Sequence, residues 1–468
     1  MSCPIPQPPR VPFLGNILNV DSNDPWGSLK QLADKYGPIY KIDALGKHVV
    51  IVNSASLTEE ICDEKRFRRC STTPVINELR RAANDALFTA YDNEPSWGIA
   101  HRIMAPFVAP SSDDTRIEDL HEMASELLAK WTSSFGERVN LTEDMKRLNV
   151  QSVIYHFFNQ RHNLLEGEGP GVVELMDHAT WETVDRSARP KVLNWLYYDR
   201  IYDTYIKDFR KMAADFIVSK RAENPAKQDM LHALLFAKDP QTGECLDDEK
   251  VIDEIVTITV TASSTAGLMS FALYYLLRNP DKMIKARQEI DQVLGIGAKI
   301  TVEDLSKLPY LEAVLRETLR LSATVPGFVL EPIPSDNPGE IVFLADGKYQ
   351  VPNNQRLMVL LSAVNRDPDV FEDPDEFRPE RMLGEAFERL PAGVKKSFGN
   401  GKRYCLGKRF ALQLSMITLA NVLRSVDLQA ADEEYQLKQT GREICANFLA
   451  PVGFFVTVGP RNAVTNGQ

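Results

Sequence analysis

No Cys-x-x-Cys pair occurs in this sequence, although six cysteines are spread along it (Cys3, Cys62, Cys70, Cys245, Cys405 and Cys445). That excludes the usual zinc-ribbon spacings and a small disulfide-stapled secreted fold, and it fits a reducing compartment. No histidine follows His232, so the second half of the chain offers no imidazole to a metal. No Gly-x-Gly-x-x-Gly run is present, so a dinucleotide has no phosphate-binding turn to sit on. An excess of positive charge is also missing: 54 Lys and Arg stand against 65 Asp and Glu, a formal charge of -11. A nucleic-acid partner for the chain as a whole is thereby disfavoured. The start, Met1 to Arg10, is rich in proline and lacks the apolar stretch of a signal peptide. Neither internal repeats nor a Gly/Ser linker divide the chain.

What is present belongs to an ordinary globular protein, with 44% apolar and 25% charged residues over a length of 468. Such a chain can bury a sizeable core without staples. Between Glu254 and Arg278 lie 23 consecutive uncharged residues, enough to span a bilayer. Seven of them are hydroxylic (Thr257, Thr259, Thr261, Ser263, Ser264, Thr265 and Ser270), which suits a helix crossing a protein interior beside a polar cavity. Cytoplasmic, with no transmembrane anchor, is the expectation. Ile39-Tyr-Lys-Ile and Val49-Val-Ile-Val flank Gly46-Lys47 and predict a β-hairpin. From Leu57 to about Pro326 the apolar spacing is mostly helical. One continuous helix is predicted from Asp247-Asp248 to Asn279-Pro280, about 30 residues or roughly 45 Å long. Short strands follow around Phe328, Ile341 and Leu357, and a further helix is predicted from just after Cys405 to about Leu423.

Three local patterns could carry chemistry. The first is Phe398-Gly-Asn-Gly401-Lys-Arg403-Tyr-Cys405-Leu-Gly407. A soft metal ligand must be anionic, and a predicted helix start and Arg403 both favour ionisation of Cys405. Gly401 and Gly407 lack side chains, so the backbone can approach a flat cofactor. Taken alone, a lone Cys in a basic loop reads more often as a buried, inert thiol. The second is Glu317-Thr-Leu-Arg320, whose i, i+3 spacing sets a carboxylate and a guanidinium on one helix face. The third is Phe377-Arg-Pro-Glu380-Arg381, whose Arg381 could complete a three-member ionic network.

In this order the three patterns resemble the cytochrome P-450 superfamily, over essentially the whole chain. The cysteine loop matches F-x-x-G-x-R-x-C-x-G at all five fixed positions, which chance gives in roughly one chain of this length in ten thousand. The chain is most similar to the haem part of soluble, self-sufficient fatty-acid hydroxylases of bacteria and fungi. Pro4-Ile-Pro-Gln-Pro-Pro, Cys62-Asp-Glu-Lys-Arg-Phe67, Gly267-Leu-Met-Ser-Phe-Ala-Leu-Tyr and Lys307-Leu-Pro-Tyr-Leu-Glu carry that likeness. It implies a mainly α fold with a small β region, a triangular helical body whose long central helix crosses above the haem. Residues 1–468 would form a single haem domain. Its β-rich part would come from about 36–54 and 326–360 plus C-terminal strands, and its helical body from about 55–325 and 405–424.

By the same resemblance, Cys405 is the axial thiolate on the iron of haem b, where it favours O–O cleavage. Phe398, Gly399 and Arg403 belong to that loop, and Trp97, His101 and Arg69 join Arg403 in holding the propionates. Trp97 also reads as a core aromatic. Glu317, Arg320 and Arg381 match the family's buried structural network. Phe88, Lys47, Ala262 and Phe328 match the substrate side. Two departures stand out. The oxygen-binding groove reads Val260-Thr-Ala-Ser263-Ser264-Thr265, with Ser263 in the acid's place and Ser264 in the alcohol's. Ser263, Ser264 and Thr265 are thus the candidate catalytic hydroxyls. Ile51 stands where these relatives place a carboxylate-binding tyrosine beside the base supplied by Lys47.

The expected activity is hydroxylation of a small lipophilic substrate, a fatty acid or a natural-product acid of secondary metabolism. Electrons would come from an NADPH-dependent FMN/FAD reductase, as a separate chain or a fused domain. Six bases and no acid between Lys395 and Arg409 (Lys395, Lys396, Lys402, Arg403, Lys408 and Arg409) suit docking of an acidic flavodoxin-like partner. The altered groove keeps open a haem-thiolate enzyme of another class, such as a peroxide-driven oxidase, an isomerase or a dehydratase. A haem sensor or carrier is the third reading, disfavoured by the large helical body.

Overall fold

The computed structural model describes residues 3–44, 47–109, 117–167, 171–294, 299–337, 339–439 and 448–461. Cys445, Leu45, Gly46 and the side chain of Lys47 lie outside the described residues. The chain divides into two compact units, each made from two stretches: residues 1–70 with 316–405, and residues 71–315 with 406–468.

The first unit holds the β region. A five-stranded sheet runs in the order Ile39–Ala44, Lys47–Val52, Leu357–Leu360, Gly327–Pro332 and Phe67–Arg69. The predicted hairpin is its first pair, in antiparallel register with Tyr40 opposite Ile51. Lys47–Val52 then pairs parallel to Leu357–Leu360, and Ile51 lies opposite Met358. Ile51, Tyr40 and Ile42 join Ala33, Leu360 and Ala363 in one apolar cluster, with Trp26, Leu29 and Leu32 packed against it. The helix Pro25–Tyr36 supplies that cover. Asp24 starts it by accepting the Gly27 N–H, and Pro25 occupies a first-turn position whose missing N–H costs nothing. The strands predicted around Phe328, Ile341 and Leu357 are all present.

The second unit is helical, with a three-stranded sheet ordered Arg138–Asn140, Phe455–Pro460, Val426–Ala430. Leu141–Phe158 is buried on nearly every side, which explains why its sequence shows little amphipathic stripe. It packs on Ser264–Arg278 and on Asp248–Ala262. The single central helix expected from Asp247 to Asn279 is instead two, broken at Ser263. There the Ser263 N–H reaches back only to the Val260 carbonyl at 3.3 Å, and Asn149 Nδ2 takes the Ala262 carbonyl at 2.8 Å. A side chain from another helix therefore competes with the intrahelical ladder, which is one cause of local helix distortion. The outer ends agree with expectation: Asp247 accepts the Lys250 N–H at 2.9 Å, and Asn279 precedes Pro280. Three of the hydroxyls bond the carbonyl four residues back, Thr259 to Ile255, Thr261 to Thr257 and Ser270 to Ala266, so they can be buried in a helix interior. Asp248–Arg278 is long and apolar enough to cross a membrane by length and composition, and most of it is buried within the protein.

Candidate functional site

The Cys405 loop lies in the first unit. After the turn Ala392–Val394 the chain passes Phe398 and reverses through Gly399 (φ 85°) and Gly401 (φ 61°), both in the left-handed region that favours glycine. The Cys405 N–H donates to the Phe398 carbonyl at 2.9 Å and closes the loop. Glycine at 401 has a second cause: a Cβ there would come 2.1 Å from Glu64 Oε1. That carboxylate accepts the Lys402 N–H at 2.7 Å, while Asn400 Nδ2 donates to the Cys62 carbonyl at 2.8 Å and Lys396 Nζ to Asn400 Oδ1 at 2.7 Å. The loop is thus held from beneath through the Cys62–Glu64 segment. Cys405 itself is exposed, and a Cβ built at Gly407 meets nothing within 4 Å. An inert structural thiol is buried, so this arrangement fits a thiolate presented to a flat group. The helix Lys408–Ser425 starts three residues after Cys405, slightly later than expected. Cys62 is a contrast: burial pushes its thiol up to about 11, against the pull of Lys396, and it stays protonated at neutral pH.

Arg69 and Arg403 are half-buried members of the first unit. Trp97 and His101 belong to the second, on the helix Ser96–Met104, one turn apart with ring centroids 5.1 Å from each other. Glu317, Arg320 and Arg381 are brought together: Arg320 grips both Glu317 oxygens at 2.7 and 2.8 Å, and Arg381 Nε lies 3.4 Å from Glu317 Oε1.

At the groove the structure separates the candidate hydroxyls. Ser263 is buried and its Oγ lies 3.1 Å from Met176 Sδ, on the helix Val172–Ala188. Ser264 is half-buried and donates to the Thr261 carbonyl at 3.3 Å, while Thr265 is buried. Ser263 and Ser264 are therefore engaged by different neighbours and do not form a pair. Ala262, Phe88 and Phe328 are half-buried, Phe328 on the strand Gly327–Pro332. Ile51 is 2% exposed within the apolar cluster of the sheet and offers nothing to a carboxylate.

Reasoning from the sequence passes over Glu64 and Asn149, and it sets Asp253 and Glu254 aside because Glu254, nine residues before Ser263, lies too far along the helix to act directly. Glu64 puts an acid beneath the basic run of 395–409, where the sequence has none. Asn149 breaks the central helix from 113 residues away. Glu254 is fully buried; it accepts the Leu87 N–H on Oε1 at 2.9 Å, and its Oε2 has no partner among the described residues. Desolvation pushes its carboxyl up to about 8, with Asp253 and Asp85 adding to the rise and the Leu87 N–H and Lys250 opposing it. An acid at the edge of a long uncharged run was the available signal.

The cytochrome P-450 family model matches residues 5–454. A bifunctional cytochrome P-450/NADPH–P-450 reductase of Aspergillus oryzae is 37% identical over 451 residues, 93% of this chain and 40% of that protein. A self-sufficient cytochrome P-450 monooxygenase of Phanerodontia chrysosporium is 36% identical over 470 residues, 98% of this chain and 43% of that one. A second bifunctional cytochrome P-450/NADPH–P-450 reductase, of Acremonium egyptiacum, is 36% identical over 449 residues, 93% of this chain and 42% of its own length. The chain thus spans about two fifths of the curated relatives it matches. With the glycine-shaped loop presenting Cys405, these matches make the chain a member of the cytochrome P-450 family, whose haem b is held by a cysteine thiolate.

Proposed function

We propose that the chain is the haem domain of a monooxygenase that hydroxylates a fatty acid or a lipophilic natural-product acid, drawing electrons from an NADPH-dependent flavin reductase. The reading rests most on the exposed Cys405 of a family member whose similar proteins carry the words reductase or monooxygenase in their names. Those names support oxygen insertion over isomerisation or dehydration. When bound, the haem supplies oxygen activation. The chain's own residues do the rest. Cys405 is the iron ligand, Arg69, Trp97, His101 and Arg403 hold the propionates, and Phe88, Ala262 and Phe328 shape the substrate side. Lys47 is the base proposed for a substrate carboxylate, and a single ion pair in contact with water contributes only ~0.2–1 kcal/mol. With Ile51 withdrawn into the core, simple fatty acids bind weakly. The test is product formation with NADPH and a separate flavin reductase, compared with hydrogen peroxide alone. Product from peroxide only rejects the reading. A cytoplasmic site of action accompanies this proposal, supported by the burial of most of the apolar stretch Asp248–Arg278 within the protein.

Reductase docking is proposed on the basic run of 395–409, and the structure narrows the variants that test it. Lys396 supports the loop through Asn400, so reversing it would disturb the site itself. Lys402 and Lys408 are exposed. Lys402→Glu with Lys408→Glu should slow reduction several-fold at low salt and flatten its salt dependence, leaving substrate-induced spectral shifts intact. Stopped-flow reduction rates at two ionic strengths decide this; unchanged rates remove this run from the docking face.

A further inference from the structure

Monooxygenation consumes protons as one oxygen atom leaves as water, and the groove lacks its usual acid. Ser263 is turned to Met176, and a hydroxyl passes protons on without being a source of them. The central helix offers a source elsewhere. Glu254, Thr257, Thr261 and Ser264 follow one another at steps of three, four and three residues. At 3.6 residues per turn those steps keep Glu254, Thr257 and Thr261 within about a third of the helix circumference, and Ser264, just past the break at Ser263, is tied to the row by its bond to the Thr261 carbonyl. Thr261 donates to the Thr257 carbonyl at 2.8 Å and Ser264 to the Thr261 carbonyl at 3.3 Å, so their side chains lie along that same face.

Two atoms of this row are orphans. Glu254 Oε2 and Thr257 Oγ1 are both buried without a hydrogen-bond partner among the described residues. A buried polar atom left unsatisfied is costly, so both call for a partner such as an ordered water. Residues three apart on a helix hold their Cβ atoms about 5–6 Å from each other, a gap that one buried water can bridge. Behind Glu254, towards solvent, Lys250 pairs with Asp85, both partly exposed. Beside it, Arg210 of the helix Asp199–Ala222 holds Asp253 at 2.5 Å, and Asn84 donates to the same carboxylate at 2.9 Å. These are the charged groups facing Glu254 from its own helix, from the 84–90 segment and from the helix packed against both. Arg210 and Asn84 hold Asp253, although burial still raises its carboxyl, whereas among the described residues Glu254 accepts only a backbone N–H.

We propose that Glu254 is the proton source of this enzyme, feeding the groove through Thr257, Thr261 and Ser264. The proton on its carboxyl passes to a water between Glu254 and Thr257; a further water in each gap, Thr257 to Thr261 and Thr261 to Ser264, carries it on as each hydroxyl accepts one proton and releases another, and one is delivered at Ser264. The Glu254 carboxylate that remains regains its proton from solvent past the Asp85–Lys250 pair. At neutral pH the carboxyl is loaded, because burial lifts its pKa to about 8. This relay rests on the monooxygenase reading above.

Two isosteric variants test it. Glu254→Gln keeps an oxygen for the Leu87 N–H and removes only the acidity; Thr257→Val removes only an unpartnered hydroxyl. Both should load haem and show substrate-induced spectral shifts like the parent. Each should form about three- to tenfold less product per NADPH, the remainder leaking as peroxide. In the parent, coupling should fall as pH rises through about 8, and that dependence should vanish in Glu254→Gln. Infrared difference spectra give a readout free of turnover: a protonated-carboxyl band that titrates near the same pH and is missing from Glu254→Gln. Absence of that band from the parent, or unchanged coupling in Thr257→Val, overturns the relay. Parent chain that forms no product with NADPH and reductase overturns the monooxygenase reading, and the relay with it.

Discussion

Cys405→Ala should give a folded chain whose ferrous–carbonyl complex lacks the strongly red-shifted Soret band of thiolate ligation. The expectation has two parts, and the structure separates them. Folding should survive, because the Cys405 side chain is exposed and its share in closing the loop is a backbone N–H to the Phe398 carbonyl, which alanine keeps. Exposed substitutions of this kind typically change stability by within about 0.5 kcal/mol. Haem ligation should not survive, since no imidazole follows His232 to replace the thiolate from the second half of the chain. Cys62 cannot substitute: burial keeps its thiol protonated up to about 11. Cys62→Ser therefore serves as a control that retains the red-shifted band. Far-ultraviolet circular dichroism and the carbonyl difference spectrum are the two measurements. A normal red-shifted complex from Cys405→Ala refutes the ligand assignment.

How far the sequence alone could be read depended on how local each cause was. The hairpin around Gly46-Lys47 was legible because β-branched runs and a turn sit within 14 residues, Ile39 to Val52. The helix ends at Asp247 and Asn279 were legible for the same reason: caps act on their own first or last turn. The break at Ser263 was not. Its cause is an amide from Asn149, and periodicity within the apolar run holds no trace of a donor 113 residues upstream. The Cys405 loop was legible as a pattern, yet the reason for glycine at 401 was hidden, because Glu64 arrives from another part of the chain.

Glu254 shows a different failure. Its distance from Ser263 along the helix, about 13–14 Å at 1.5 Å per residue, argues against direct action. Distance alone ignores what lies between, and the intervening hydroxyls at Thr257 and Thr261 are plain in the sequence. What could not be read was that, among the described residues, Glu254 has no cation in contact while its neighbour Asp253 has Arg210. Only packing distinguishes two adjacent acids: burial raises both carboxyls, and Arg210 and Asn84 oppose that rise at Asp253 alone.

Arg320→Ala should yield almost no folded, haem-loaded protein. Arg320 is 2% exposed and Glu317 is 0% exposed, so the pair is cut off from water. Beyond the two bonds to Glu317, Arg320 Nη1 donates to the carbonyls of Asn365 and Pro374 at 3.0 and 2.6 Å, and Nη2 to that of Glu376 at 2.9 Å. The guanidinium therefore ties the helix Pro309–Leu321 to the 365–376 segment by its geometry as much as by its charge. Removing it strands a buried carboxylate, at ~3–5 kcal/mol, which is comparable to the whole stability of many domains. Arg381 is the weaker member: its Nε stands 3.4 Å from Glu317 without a formed hydrogen bond, and its remaining bonds go to the Glu372 and Asp373 carbonyls. Arg381→Ala should therefore fold, with a loss of about 1 kcal/mol. Arg320→Lys should not rescue, because a single ammonium cannot span one carboxylate and three carbonyls. The double variant Glu317→Met with Arg320→Met separates charge from geometry. Were the ion pair the whole story, removing both charges would restore folding. Loss of the three carbonyl bonds predicts that it does not, and thermal unfolding with haem-loaded yield is the measurement. Wild-type yield from Arg320→Ala, or full recovery in the double variant, would show that these carbonyls do not need the guanidinium.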